Sequence, residues 1–513
     1  MAREVAIIGA DVGTTGCRAV VYRPDGTVLA GAGREYPLYT PQPGWAEQDA
    51  EEIYRALTAT VREALAAAAL PADARLSMCF STFFHSIMPV DEAGQPLYRL
   101  LIWADTRGQR YVERLRAEGA ERAIYARTGC MLSPQYPLVK IAWFKEERPD
   151  IFRRTARFVS VKEYILFRML GRYVTDRSIA SGTGLYDIHN WRWDGPLLEW
   201  LTLREDQLSP VAATTHIETG LLPAAAAAMG LPPSLPVVLG AGDGALSNLG
   251  AGAVGPGQVA AMVGTSGAVR TVMAKPYVHP ECRTWCYNLT DSHWLAGVAM
   301  NSGGIALRWV RDTLGETERR EAGRRGADPY DLLTAMAAKV PPGADGLVAL
   351  PFLAGERAPL WNAHSRGVFF GLGLSHSRAH MVRAALEGVM FCLFGIFSLV
   401  AGAAGTVTGI RAAGSFSRSP LWVQIMADVF GQPVEVPGEP TGSAYGAALL
   451  GLYAQGHIAE LEAAAGLVPA AARYEPDAAN HRLYREYYRL FEELAAKLAP
   501  EFEAIAKLQA KKA

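Results

Sequence analysis

Two short loops and one isolated acid hold the chemistry that this chain's sequence offers. Residues 9–26 read GADVGTTGCRAVVYRPDG: an apolar strand runs past Asp11 into Gly13-Thr14-Thr15-Gly16 and returns as a second strand. Gly264-Thr265-Ser266-Gly267 repeats that arrangement in the second half of the chain. Glycine lacks a Cβ, so successive backbone N–H groups in such turns can converge on an anion. Thr14, Thr15, Thr265 and Ser266 add hydroxyl donors. Two loops of this kind suit a polyphosphate gripped from both sides. Asp11 then suits a group that orders water around a magnesium ion, which keeps much of its hydration and takes few carboxylates. Arg18, just beyond the first loop, is placed to meet a transferred phosphoryl group. This is no Walker loop: GxxxxGK[ST] is absent, and the loops join strands instead of opening a helix.

Transfer of a phosphoryl group to a hydroxyl also needs a proton acceptor. Asp243 in VVLGAGDGALSNLG is the only charged residue between Pro233 and Arg270, and Gly242 and Gly244 flank it closely. A turn aspartate that caps the following helix is the competing reading. Its isolation in apolar sequence, shortly before the second loop, favours a general base.

The elements that must position these groups follow from periodicity and turn chemistry. EVAIIGADVG and CRAVVYRPDGTVLA read as strands, with Pro24-Asp25-Gly26 as a turn. EQDAEEIYRALTATVREALAAA has early acids and helical spacing. RLSMCFSTFFHSIMPV returns to strand, and PLVKIAWFKEERPDIF reads as helix. Near residue 238 the composition shifts to glycine, alanine and valine, which sets domains at 1–238 and 239–513. VGTTGCRAVV and VGTSGAVRTV match at four of their five loop positions, which points to a duplicated domain. The charged tail HRLYREYYRLFEELAAKL reads as an amphipathic packing helix.

Composition narrows the function. Half of the 513 residues are hydrophobic, a fifth are charged, and the formal net charge is −1. No global basic field recruits nucleic acid or an anionic membrane, so anion handling must be local. Cys282 and Cys286 form a lone CxxxC with no second ligand pair, and the six cysteines read as reduced thiols of a cytoplasmic protein. No charge occurs between Glu387 and Arg411, but the glycine- and alanine-rich end of that run and the helical RAALEGVMF before it predict a buried helix, not a membrane span.

Taken with SPQYPLVKIAWF around Pro134, Lys140 and Trp143, PFLAGERAPLWNAHSRGVFFGLGLSHSRAHMVRAALEGVMF and AAGSFSRSPLWVQIMADVFGQPVEV, these residues resemble the FGGY carbohydrate kinases over essentially the whole chain. EYPLYTPQPGWAEQDAEEI, IWADTRG, GDGALSNLGAGAV, GTSGAVR and NSGGIALRWVRD look like the branch that phosphorylates gluconate. The resemblance implies an α/β fold of two actin-like (ribonuclease H-like) ATPase domains with a central nucleotide and sugar cleft. It implies ATP and Mg²⁺, and conversion of D-gluconate to 6-phosphogluconate. Asp243 falls at the family's catalytic base and Asp11 at its magnesium-organising acid, both meeting the ion through water. Gly13, Thr14, Thr15, Arg18, Gly264, Thr265, Ser266, Gly304 and Arg308 fall at nucleotide positions. Gly414, Ser415 and Arg418 fall where adenosine is held. His85, Phe84, Trp103, Asp105, Arg107 and Gln135 fall on the sugar side with Asp243.

Arg107 with His85 is the expected pair for a gluconate carboxylate. A core role competes for His85 and Trp103, and a simple pairing with Asp105 competes for Arg107. The chain departs from the family pattern in three places. Ala412-Ala413-Gly414 stands where a paired glycine is usual, Tyr445 where a small apolar residue is common, and Phe84 where methionine is frequent. The partners expected are a sugar acid and, for assembly, a second copy of the chain. A kinase for another sugar or polyol (xylulose, ribulose, glycerol) and an actin-like ATPase with no sugar substrate are the alternatives.

Overall fold

The structure, a computed structural model, describes residues 3–510. Two sheets organise it. The first has β1 (Val5–Val12), β2 (Gly16–Tyr22), β3 (Val28–Glu35), β4 (Arg75–Thr82), β5 (Ile217–Glu218) and β6 (Val237–Gly242) in the order β5-β6-β4-β1-β2-β3. The second has β7 (Gln258–Val263), β8 (Gly267–Met273), β9 (Trp285–Thr290), β10 (His293–Met300), β11 (Gly409–Ala413), β12 (Val434–Pro437) and β13 (Ala470–Tyr474) in the order β13-β12-β11-β7-β8-β10-β9. Both loops named above are the turns of hairpins, β1 with β2 and β7 with β8.

The sheets repeat one pattern. In the first, β5 is antiparallel to β6, β6 and β4 are parallel, β4 and β1 are parallel, and β1 is antiparallel to β2. In the second, β13 is antiparallel to β12, β12 and β11 are parallel, β11 and β7 are parallel, and β7 is antiparallel to β8. Five successive strands match in direction. The echo in the two loop sequences therefore extends to topology.

The chain divides into two compact units, but not at 238/239. The first runs to Gly255 and adds Val272–Ala296 and Glu439–Pro469; the second holds Pro256–Thr271, Gly297–Gly438 and the chain from Ala470. The return of Glu439–Pro469 has a packing cause. Helix Ser443–Ala454 is apolar on all sides and buried almost throughout, so it belongs in a core rather than on a surface. It lies so close to helix Asp243–Gly250 that a Cβ on Gly446 would stand 1.9 Å from Leu246 O, and one on Gly250 2.1 Å from Gly442 O. Only glycine permits that approach. Asp243 is the first residue of the helix thus pinned.

The expected helix after the first hairpin spans Ala50–Ala68, started by Asp49, whose carboxylate accepts the N–H groups of Glu51 and Glu52. PLVKIAWFKEERPDIF forms two helices, Pro137–Glu147 and Pro149–Arg154. In the second unit, Arg378–Ala404 is the one helix among the described residues long and apolar enough to cross a membrane. Its most apolar stretch is 83% buried in the fold, and Leu386, Val389, Met390, Leu393 and Ile396 sit in the unit's main core.

Candidate active site

In the first unit the register of three parallel strands sets the site. Asp11 of β1 and Ala241 of β6 both pair with Ser81 of β4, and Val12 and Gly242 both pair with Thr82. The three strands therefore end level, and Asp11 and Asp243 emerge at that edge. With strands ~4.8 Å apart, the β1 and β6 backbones stand about 10 Å apart there. Asp11 accepts a hydrogen bond from Ser81 Oγ at 2.7 Å. Burial pushes its carboxyl above the usual aspartate range, against the Ser81 and Ser443 hydroxyls and the Arg18 charge. Arg18 faces it from the neighbouring position on β2.

Asp243 accepts the N–H of Gly244 through Oδ1 at 2.7 Å. The strand end before it is braced from behind. Lys162 and Asp176 form a fully buried ion pair at 2.6 Å, Lys162 Nζ also donates to Ala241 O at 3.2 Å, and Gly242 N–H donates to Ser178 Oγ at 3.2 Å. Sequence reasoning passed over Lys162, Asp176 and Ser178, because nothing local ties them to Asp243. Phe84 completes the brace. A Cβ on Gly242 would stand 2.0 Å from its ring and one on Gly182 2.6 Å. Phe84 is 7% exposed and packs on Tyr287, so its ring wedges the strand end that leads into Asp243.

The first loop is tied to side chains from two later segments, Gln48 and Trp103. Thr14 Oγ1 accepts from Trp103 Nε1 at 2.9 Å and Thr14 O from Gln48 Nε2 at 2.7 Å. Gly13 N–H donates to Gly16 O at 2.9 Å, and the Tyr36 hydroxyl donates to Gly13 O. Gly264 N–H likewise donates to Ser266 O at 2.9 Å. These two glycine amides are spent closing their turns, so Gly13 and Gly264 shape the loops without aiming those N–H groups at an anion.

His85 takes a left-handed backbone conformation, φ +66°, and its Nδ1 lies 2.6 Å from Gly182 O. A carbonyl only accepts, so Nδ1 bears the proton and Nε2 is the acceptor of the neutral ring. The rings of Phe84, Tyr136 and Tyr287 surround it. Trp103 is 41% exposed, and Gln135 is partly exposed.

Asp105 and Arg107 stand otherwise. Both side chains are buried, at 0% and 1% exposure, and Arg107 bridges Asp105 at 2.8 Å and Glu47 at 2.7 Å. Its guanidinium also lies 3.8 Å from the Trp45 ring and 4.6 Å from that of Trp143. Asp105 Oδ2 accepts Ala46 N–H at 2.8 Å. The expected pairing of Arg107 with a substrate carboxylate is withdrawn: two carboxylates already neutralise it, and it does not reach the surface. The pair is a buttress for the WADTR segment.

The second unit contains a cavity of about 210 Å³ lined by Gly264, Thr265, Gly304, Arg308, Ser415 and Arg418, all expected at nucleotide positions. The loop of β7 and β8 is fastened to helix Gly304–Thr313: Gly304 N–H donates to Gly264 O at 2.7 Å, Ile305 N–H to Thr265 O at 3.1 Å, and Arg308 to Thr265 Oγ1 at 3.4 Å. Ser266 is not in the lining; its backbone packs against Gly303. Gly414 takes φ +99° with Val263 O 2.5 Å from where a Cβ would be. Ala412 and Ala413 are ordinary strand residues paired with Ala261 and Met262. The missing second glycine therefore costs no backbone strain. Tyr445 is likewise accommodated, its hydroxyl against Gly26 and bonded to Leu467 O at 2.9 Å. Tyr330, Asp331, Thr334 and Trp422 also line the cavity and were missed. Asp328-Pro329, a cap and first-turn proline, was the available signal that a helix starts there.

Among the described residues no three His, Cys, Asp or Glu side chains gather into a metal cage. A lone partly buried carboxylate such as Asp11 suits an ion held mainly by water and phosphate oxygens.

Residues 6–250 match the N-terminal domain and residues 259–455 the C-terminal domain of the FGGY family of carbohydrate kinases. A gluconokinase of Bacillus subtilis (strain 168) is 41% identical over 505 residues, 98% of each chain. Two solved structures from Lactobacillus acidophilus, each 30% identical, cover 98% of this chain and 100% of their own: a gluconate kinase with a TM-score of 0.92 and a ligand-bound xylulose kinase with 0.91.

Proposed function

Because the chain belongs to the FGGY family of carbohydrate kinases and is a sugar kinase that transfers phosphate to an alcohol, we propose that its acceptor is D-gluconate and its product 6-phosphogluconate. The observation that carries this reading is the 41% identity with a gluconokinase across 98% of both chains. ATP is the phosphoryl donor that family membership implies. Mg²⁺, organised through water by Asp11, would neutralise phosphate charge as the transfer proceeds.

Asp243 takes the proton of the attacking hydroxyl, and the Lys162–Asp176–Ser178 brace holds its strand end still while it does so. His85 Nε2 accepts from an acceptor hydroxyl, with its tautomer set by Gly182 O. Trp103 and Gln135 border the same substrate. Thr14, Thr15, Thr265 and Arg308 hold the polyphosphate. Gly304, Ser415 and Arg418 border the adenosine. The reading implies a cytoplasmic enzyme.

A neutral ketose is the second reading, favoured by the nearly equal TM-score of a xylulose kinase. ADP production from MgATP against D-gluconate, D-xylulose, D-ribulose and glycerol separates the two. Stimulation by gluconate alone is expected. Stimulation by xylulose in preference to gluconate would replace the acceptor and leave the other assignments standing. ATP hydrolysis indifferent to every polyol would remove the kinase reading in favour of an actin-like ATPase.

A further inference from the structure

Lys140 sits inside helix Pro137–Glu147 with no exposed surface. Its Nζ donates to three backbone carbonyls: His85 O at 2.9 Å, Ile102 O at 2.7 Å and Gln135 O at 2.7 Å. In its charged form Nζ has three N–H donors and no acceptor, so all its capacity is used, in charge-assisted bonds, whereas the neutral amine leaves one of the three carbonyls without a donor. The three carbonyls come from three separate segments. One is the left-handed turn at His85, one immediately precedes Trp103, and one is Gln135 itself. Each segment carries a side chain assigned to the acceptor.

The arrangement is a costly way to fill space. Burial pushes the Lys140 ammonium down to about 7, against the attraction of Asp105. An apolar chain of similar length would occupy the same volume without that cost. What the ammonium adds is geometry, because one nitrogen holds three oxygens from distant segments within 2.9 Å of itself.

We propose that Lys140 is the positioning residue of the acceptor site: it fixes the His85 turn, the junction before Trp103 and the Gln135 turn against one another, and so governs affinity for the phosphoryl acceptor and not for the nucleotide. The proposal rests on the reading of His85, Trp103 and Gln135 as acceptor contacts.

The test is Lys140→Met in the full-length protein, with two readouts. Amide hydrogen exchange should speed up together in residues 83–87, 101–104 and 133–137, whatever the acceptor is. In steady-state kinetics with the acceptor the wild type uses best, the acceptor KM should rise on the order of 10- to 100-fold while the ATP KM stays within about twofold. Unchanged exchange in any one of the three segments would overturn the positioning role. Parallel rises in both KM values, or a rise in neither, would overturn the link to acceptor affinity. If the wild type phosphorylates no polyol, the proposed function and that link fail together, while the exchange result still decides whether Lys140 fixes the segments. Should Lys140→Met not yield soluble protein, Lys140→Gln, which keeps two donors, replaces it, with smaller changes in the same directions.

Discussion

The indole N–H of Trp103 donates to the hydroxyl of Thr14 across 2.9 Å. One residue was assigned to the sugar and the other to the phosphates, so the bond joins the two tasks within a single unit. Trp103→Phe keeps the aromatic surface and deletes the donor. A neutral hydrogen bond contributes about 0.5–1.5 kcal/mol, so kcat/KM for the acceptor should fall roughly 2- to 10-fold. The melting temperature should hold, since the side chain is 41% exposed. An unchanged kcat/KM would mean that the Thr14 hydroxyl needs no anchoring from this side.

Asp243→Asn separates the base from the fold. Asparagine retains a carbonyl oxygen for the Gly244 N–H that Asp243 accepts, so the helix start should survive. Losing a positioned base typically removes about 10²–10⁴-fold in rate, and kcat should fall by that much. Titration calorimetry with a non-hydrolysable ATP analogue should give wild-type affinity. Turnover within about tenfold of wild type would take Asp243 out of its role.

Much of this site was legible in the sequence because its parts are local. Each hairpin loop sits between its own two strands, and Asp243 directly follows the strand that delivers it. What was not legible depends on contacts between distant segments. Arg107 was expected to face a substrate carboxylate, and nothing near it in the sequence showed that Glu47, sixty positions earlier, closes on it. Nothing around Phe84 in the sequence showed that Gly182 and Gly242 fold against its ring. The domain boundary was misplaced for the same reason, since a composition shift near residue 238 does not report that residues 439–469 return to the first unit.

Arg107→Met tests the buttress against the discarded substrate role. The variant leaves Asp105 and Glu47 buried with their shared cation gone. Breaking a buried pair by removing one partner costs about 3–5 kcal/mol. Denaturant unfolding should show a loss of that order, whatever acceptor is present. A variant of wild-type stability with only a raised gluconate KM would return Arg107 to the substrate.

Lys140 should also leave a mark on stability against pH. Its folded value of about 7 lies below the ordinary 10.5, so between those limits the unfolded chain binds more protons at this site than the folded one. Stability rises with pH wherever the unfolded state binds more protons. The cost of burying the ammonium is therefore fully present below pH 7 and fades as pH rises toward 10.5. Lys140→Met has no such group, which isolates the effect from other titrations. The unfolding free energy of wild type minus that of Lys140→Met should increase from pH 7 to pH 10, by an amount on the order of a few kcal/mol. Urea unfolding of both proteins at pH 7, 8, 9 and 10 measures it. A difference that stays flat would mean the three carbonyls hold the ammonium charged throughout the range, and a difference that falls would reverse the sign of the argument.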